Sequence, residues 1–261
     1  MKFLSDLHVH TSFSFDAENA YDPLNTAKAA YEKGLSAIAL TDHLEINSEI
    51  EHIFPPLDFE NRRTECVKAK EEMKGKITVL HGIELGQPTQ YPEFAKECLK
   101  RENYDFVLGS LHNVRGMPDF ALIDYSKYNE EDFINLWEVY LNELYELVNF
   151  DGITSLSHLT YPLRYYKKAG FETDLSKYSE QLFKILKTAV KKGMMIEVNS
   201  SGFRQGMGCP LPDNFVLSVY EKAGGVFITT GSDSHRPEDI AGDYKTLEEY
   251  IKGNIIPYDP S

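Results

Sequence analysis

Cysteine is scarce in this chain of 261 residues: only Cys66, Cys98 and Cys209 occur, and no two of them form a C-x-x-C pair. That argues against a disulfide framework and a tetrathiolate zinc site, and it suits a reducing, cytoplasmic setting. Positive charge is also short. Lys and Arg number 27 against 41 Asp and Glu, so the net charge is −14, a field that favours neither nucleic acid nor an anionic membrane as partner. No run approaches the roughly 18 apolar residues of a membrane span. Met1 to Leu4 give way at once to Ser5 and Asp6, so no signal peptide is expected. No serine sits in a Gly-x-Ser-x-Gly elbow, which leaves Ser110, Ser157 and Ser232 as structural or supporting groups. Linkers, low-complexity tracts and internal repeats are absent as well. One domain spanning residues 1–261 is the expectation, with its oligomeric state left open.

What is present is an alternation of strand and helix signals. Apolar runs at 3–7, 36–40, 77–84, 105–108, 153–156, 194–198 and 226–230 read as seven short strands. Between and after them, helices are expected near 23–33, 59–74, 91–101, 130–149, 175–192, 212–222 and 243–252. Gly34 and Gly193 stand where helix C-caps prefer glycine. Phe133, Trp137, Tyr140, Leu144 and Leu147 form one helical stripe, read as core against a sheet. Residues 59–74 are rich in Lys and Glu, and Arg62 is expected to face solvent there. Strands that are apolar throughout belong in parallel sheets covered on both faces. The expected class is therefore α/β, a βα series closing into a barrel rather than an open doubly wound sheet.

At least six of the eight histidines fall at the C-terminal ends of these strands. His8 and His10, two apart, can face one ion from one side of a strand. With His43, His112, His158 and His235 they form a set that also includes Asp16, Glu84 and Asp233. Nine such groups exceed what one ion takes, so two or three divalent transition ions are expected, Zn, Mn or Fe rather than a thiolate-bound metal. Glu84 stands where a carboxylate can bridge two of them. Paired ions polarise a phosphoryl oxygen, generate hydroxide near neutral pH and offset charge on a leaving alkoxide. In an acidic protein they also supply the positive charge that an anionic substrate needs. Asp42 is expected to orient a ligand imidazole or to cap a loop. Contributions come from every strand but the sixth.

These motifs resemble the signature of the polymerase and histidinol phosphatase (PHP) superfamily: His8-Val9-His10-Thr11, Thr41-Asp42-His43, Gly82-Ile83-Glu84, Gly109-Ser110-Leu111-His112, His158 and Asp233-Ser234-His235. The resemblance runs from residue 8 to 235. It implies a distorted seven-stranded, TIM-like (β/α)7 barrel whose trinuclear metal centre hydrolyses phosphoesters. Carried across, one ion would take His8, His10, Glu84 and Asp233, a second Glu84, His112 and His158, and a third Asp16, His43 and His235. The family often has histidine where this chain has Asp16.

Within the superfamily the chain looks most like phosphatases that act on histidinol phosphate in histidine biosynthesis, which implies a small phosphomonoester as substrate. Arg115, Arg164 and Arg204 lie in loops a few residues beyond site positions, where a guanidinium can grip a phosphate bidentately. Glu84, Asp233, His235, Arg164 and Arg204 are the expected catalytic groups. Arg115, Arg164, Arg204, His81 and Asp42 are the candidates for substrate contact, although strand alternation turns His81 away from Glu84. A phosphodiesterase or exonuclease would want a basic groove with stacking aromatics. Tyr161, Tyr165 and Tyr166 could stack a base or an imidazole, but no Lys/Arg cluster lies nearby. An amidohydrolase-type reading meets His112 rather than a bridging lysine on strand four. A metal-binding scaffold without activity fits poorly with an intact ligand set.

Overall fold

The computed structural model describes residues 3–17 and 21–261. Nine strands form its sheet: β1 (Ser5–Val9), β2 (Ala37–Leu40), β3 (His43–Glu45), β4 (Thr78–Gly86), β5 (Phe106–Ser110), β6 (Ser155–Leu156), β7 (Met195–Asn199), β8 (Phe227–Gly231) and β9 (Ile256–Pro257). They pair in the order β1-β2-β4-β5-β6-β7-β8-β9, with β3 also beside β4. Every pairing is parallel. The fold is thus α/β, and all strand C-termini open on one side. The sheet curls until its beginning meets the stretch after β8: Asp233 N–H donates to His8 O at 2.9 Å, and His10 N–H to Ser234 O at 2.8 Å.

Parallel neighbours require long crossovers, and helices supply them: α1 (Pro23–Glu32), α2 (Ile46–Glu51), α3 (Phe59–Glu72), α4 (Pro92–Arg101), α5 (Glu130–Leu147), α6 (Leu163–Lys168), α7 (Ser179–Lys191), α8 (Ser201–Arg204), α9 (Asn214–Lys222) and α10 (Tyr244–Tyr250). Local chemistry sets their ends. Asp22 caps α1 with proline at its first turn, and Asn129 and Asp132 form a capping box on α5. The aromatic stripe of α5 is buried as its spacing predicts, with Trp137 and Tyr140 at 0% and 1% exposure. Among the described residues, no helix is long and apolar enough to cross a membrane.

Each of the seven expected strands has a counterpart, while β3 and β9 were not foreseen. They are too short to show a period, and pairing alone defines them. β3 continues the line of β2 after a break at Thr41 and Asp42. That break explains a second departure, at Arg62. The residue lies on charged α3, yet it is fully buried. Its Nη2 donates to Leu40 O at 2.8 Å and Gly82 O at 2.5 Å, near the point where the β2 ladder ends. Its Nε donates to Asp42 Oδ2 at 2.7 Å. Arg62, Cys66 and Ala69 form the buried stripe of α3. A charged residue on such a stripe reads as solvent-facing until its partners are known.

The face of β5 that carries Phe106, Leu108 and Ser110 also meets Glu84, because Ser110 Oγ donates to Glu84 Oε1 at 2.6 Å. Beneath this polar layer Leu7, Ala39, Phe106 and Leu108 form a small apolar cluster, with Leu80 and Tyr258 packed against it. The main core lies on the other side, between sheet and helices. The site therefore stands on a dry floor at the strand C-termini.

Candidate metal centre

Glu84, near the end of β4, is the hub. It is fully buried. Around its carboxylate stand His8 Nε2 at 3.3 Å, His10 Nε2 at 3.5 Å, His43 Nδ1 at 3.0 Å, His112 Nε2 at 3.2 Å and His158 Nε2 at 3.0 Å. Asp233 joins at 3.4 Å from His10 Nε2 and 3.6 Å from His8 Nε2. On the outer edge Asp16 lies 3.6 Å from His43 Nε2 and 3.3 Å from His235 Nε2. All nine ligand positions named from the sequence therefore converge.

The arrangement suits cations and little else. His8 Nδ1 faces Glu197 Oε1 at 2.8 Å, and His112 Nδ1 faces Glu45 Oε1 at 2.9 Å. His43 Nδ1 faces Glu45 Oε1 at 3.1 Å, and His235 Nδ1 faces the Asp233 carbonyl at 3.0 Å. Ser14 gives its proton to Asp42 Oδ1 at 3.0 Å, so it must accept from His10 Nδ1, also at 3.0 Å. These oxygens take the Nδ1 protons and turn the Nε2 lone pairs inward, as acceptors behind metal-binding histidines do. The lone pairs then confront one another: His8 and His10 Nε2 are 3.1 Å apart, His112 and His158 Nε2 3.2 Å, and His43 and His235 Nε2 3.5 Å. Glu84 Oε2 is buried without a hydrogen bond. Unshared lone pairs and an orphaned carboxylate oxygen are stabilised when positive charge stands among them. Burial, reinforced by the His235 and His43 rings, pushes His10 down to about 3 and keeps it neutral. Positive charge is what the rest of the cluster draws in. Against the pull of burial, the carboxylates hold His8, His43 and His112 well above the ordinary imidazole range. Those rings in turn hold Glu84 well below the ordinary carboxyl range, against its own burial. Bound cations would take the place of those protons. The residues present fit divalent transition ions.

Two carboxylates here escaped the reading by strand ends. Glu197, on β7, shows that the sixth expected strand does contribute. Glu45, on β3, binds two imidazoles at once and accepts from Gln87 Nε2 at 2.7 Å. Both carried a signal: Glu197 is a lone acid inside an apolar strand, and Glu45 is two residues from His43. Space for them comes from glycine. A Cβ at Gly231 would collide with Glu197 Oε1 and His8 Cβ, and one at Gly86 with the Glu45 carboxylate. Gln87, His158 and Asp233 hold φ of 48°, 49° and 54°. This left-handed region costs non-glycine residues about 1–3 kcal/mol each, which the surrounding bonds must offset.

The remaining expected groups divide. Arg164 borders the cavity above the centre, with Tyr161, Tyr165, Asp119, Gln205 and Phe15. Arg115 does not: its guanidinium lies on Glu146 at 2.6 Å and near Glu143 at 3.6 Å. Arg204 turns inward instead, donating to the carbonyls of Ser232 and Asp233, so it braces the backbone that presents Asp233. Asp42 is locked by Thr11, Ser14 and Arg62 and contacts no cavity. Through Ser14 it supports the His10 imidazole, and of His43 only the backbone, whose N–H donates to Ser14 Oγ at 3.2 Å. His81 faces Arg62 Nη1 and Glu102 Oε2, each at 2.9 Å, on the side of the strand away from Glu84, and touches no substrate space. Tyr166 is core, fully buried. Ser110 and Ser157 attend Glu84 Oε1, at 2.6 and 3.4 Å.

Glu197→Gln removes the charge behind His8 with little change of shape. Metal affinity is expected to fall roughly 10- to 100-fold in a chelator competition titration, with activity recovered at excess metal. Unchanged affinity would separate Glu197 from the centre.

Residues 6–201 match the family model of the PHP domain. A probable histidinol-phosphatase of Clostridium acetobutylicum is 28% identical over 245 residues, 92% of this chain and 89% of that protein. The histidinol-phosphatase of Lactococcus lactis is 28% identical over 240 residues, 88% of this chain and 83% of its own length. Among solved structures, histidinol phosphate phosphatase of Lactococcus lactis, crystallised with zinc, L-histidinol and phosphate, superposes with a TM-score of 0.75 at 23% identity. That match covers 98% of this chain and 96% of the other.

Proposed function

The chain belongs to the PHP domain family, and from that premise we propose that it is a histidinol-phosphate phosphatase, hydrolysing L-histidinol phosphate to L-histidinol and phosphate in histidine biosynthesis. The observation that carries the reading is the inward-facing set of imidazoles and carboxylates around Glu84, open to a cavity of about 370 Å³. That size suits a small ligand. We read the sheet as a distorted seven-stranded barrel of β1, β2 and β4 to β8, in which β3 prolongs β2 and β9 is an addition. The bonds joining β1 to Asp233 and Ser234 support that closure.

His8, His10, Glu84 and Asp233 would hold one divalent ion, Glu84, His112 and His158 a second, and Asp16, His43 and His235 a third, of zinc, manganese or iron. When bound, such ions supply Lewis acidity toward phosphoryl oxygens and acidify water. The protein's own part is to place the ester. Arg164 is preorganised for this: its guanidinium lies 4.0 Å from the Tyr161 ring centre, and it donates to Gln205 Oε1 and Tyr165 Oη at 2.7 Å each. A guanidinium so held presents its remaining N–H groups to a phosphate with little entropy left to lose. The Tyr161 ring on which the guanidinium lies is 5.0 Å from the rings of His112 and His158 and helps exclude bulk water.

The test is phosphate release from L-histidinol phosphate beside a dinucleotide, with zinc, manganese or iron added and then chelated. Metal-dependent turnover of histidinol phosphate, and not of the dinucleotide, is expected. Preference for the dinucleotide, or indifference to chelation, would overturn the reading. In the same assay Arg164→Ala should raise KM roughly 10- to 100-fold, the scale of a hydrogen bond to a charged group. Lysine there should restore little, because it can neither stack nor bond bidentately.

A further inference from the structure

We propose that Asp119 forms an ammonium subsite in this cavity, so that the preferred substrates are phosphate monoesters bearing a protonated amine on the carbon next to the ester carbon. The inference deepens the substrate reading above and rests on it. Four carboxylates border the cavity: Asp16, Glu45, Asp119 and Asp233. Three of them are engaged with histidine nitrogens, Asp16 at 3.3 Å from His235, Glu45 at 2.9 Å from His112 and Asp233 at 3.4 Å from His10. Asp119 is not. Its Oδ1 accepts from Ala121 N–H at 2.7 Å and lies 3.4 Å from the Tyr161 hydroxyl. Among the described residues, nothing hydrogen-bonds to Oδ2. The neighbouring cation, Arg164, gives its hydrogen bonds to Gln205 and Tyr165.

His112 and Arg164 attract this carboxylate from nearby, but neither donates a hydrogen bond to it, so one oxygen stays free on the cavity wall. Burial pushes the Asp119 carboxyl up from its ordinary value, which a bound cation would reverse. Placement selects the kind of cation. The Tyr161 ring abuts His112 and His158 while its hydroxyl reaches Asp119, so acid and metal-binding histidines stand one tyrosine side chain apart. An ester whose phosphate meets the histidine side can extend an amine on the adjoining carbon toward that acid. Oδ1 also caps the short turn Phe120–Leu122. Asparagine keeps that cap and removes only the charge.

Asp119→Asn is compared with the wild type on L-histidinol phosphate and its deamino analogue, and on phosphoethanolamine and ethyl phosphate. The wild type should favour the amine-bearing member of each pair roughly 10- to 100-fold in kcat/KM, the scale of a charge-assisted hydrogen bond. The variant should lose that preference and hydrolyse the amine-free esters within about twofold of the wild type. Equal losses on both members would mean a cap alone, and a preference kept by the variant would place the amine elsewhere; either overturns the subsite. Should the wild type leave histidinol phosphate intact, the substrate reading falls by itself. The phosphoethanolamine and ethyl phosphate pair then decides the subsite: a preference that depends on Asp119 upholds it, and no preference overturns it.

Discussion

Glu84→Gln is expected to lower phosphatase activity by at least about 100-fold, the scale seen when a main electrostatic element of a site is lost. The substitution is nearly isosteric. Ser110 can still bond the retained oxygen, so the far-ultraviolet circular dichroism should not change. What disappears is the negative charge between five imidazoles, whose nitrogens lie 3.0–3.5 Å from the carboxylate. An amide could not offset the mutual repulsion of the cations that the proposed centre would hold. Elemental analysis of the purified variant should therefore show fewer ions per chain than the two to three expected of the wild type. Near-normal turnover with a full metal complement would mean that Glu84 is not the bridge.

Arg62→Ala should destabilise the protein by about 3–5 kcal/mol, the cost of removing one partner from a buried ion pair. The guanidinium is fully enclosed and meets Asp42, His81, Leu40 O and Gly82 O together. Removing it leaves the Asp42 carboxylate without its countercharge and two carbonyls without that donor. Asp42 in turn holds Thr11 and Ser14, and Ser14 holds His10, so metal affinity should weaken as well. Urea denaturation of the metal-free protein reads the stability effect. Arg63→Ala, next along α3 and exposed, should stay within about 0.5 kcal/mol and serves as the control. If both variants unfold at the same urea concentration, the buried network contributes nothing net.

Much of the site is legible without coordinates because it obeys short-range rules. In a strand, residues two apart share a face, which pairs His8 with His10 and would have paired His43 with Glu45. Strand ends in a parallel α/β sheet share one side, which gathers His112, His158 and Asp233 from distant parts of the sequence. The stripe of α5 and its capping box follow from a period of 3.6 and from local hydrogen bonding.

Other features depend on partners remote in sequence. Arg62 looks like one more charge on a charged helix, and only the gap between β2 and β3 makes it a buried anchor. Arg115, Arg164 and Arg204 look alike, each a few residues beyond a site position. Tertiary packing divides them, drawing Arg115 to Glu143 and Glu146 on α5, Arg204 to the backbone of Ser232 and Asp233, and leaving Arg164 alone over the cavity. By itself the sequence determined the seven main strands, the longer helices and the residues that stand at their ends, because periodicity and capping act over a few residues. The short elements β3, β9, α2, α6 and α8 carry too little pattern to be read that way. The tertiary structure decided which charges are buried, which imidazole nitrogen turns inward and which arginine meets the cavity. His10, His43 and His235 find their Nδ1 partners within four residues. The other outcomes follow from burial and from hydrogen bonds between residues as far as 189 positions apart, such as His8 with Glu197 and Arg62 with Asp42, which no local pattern records.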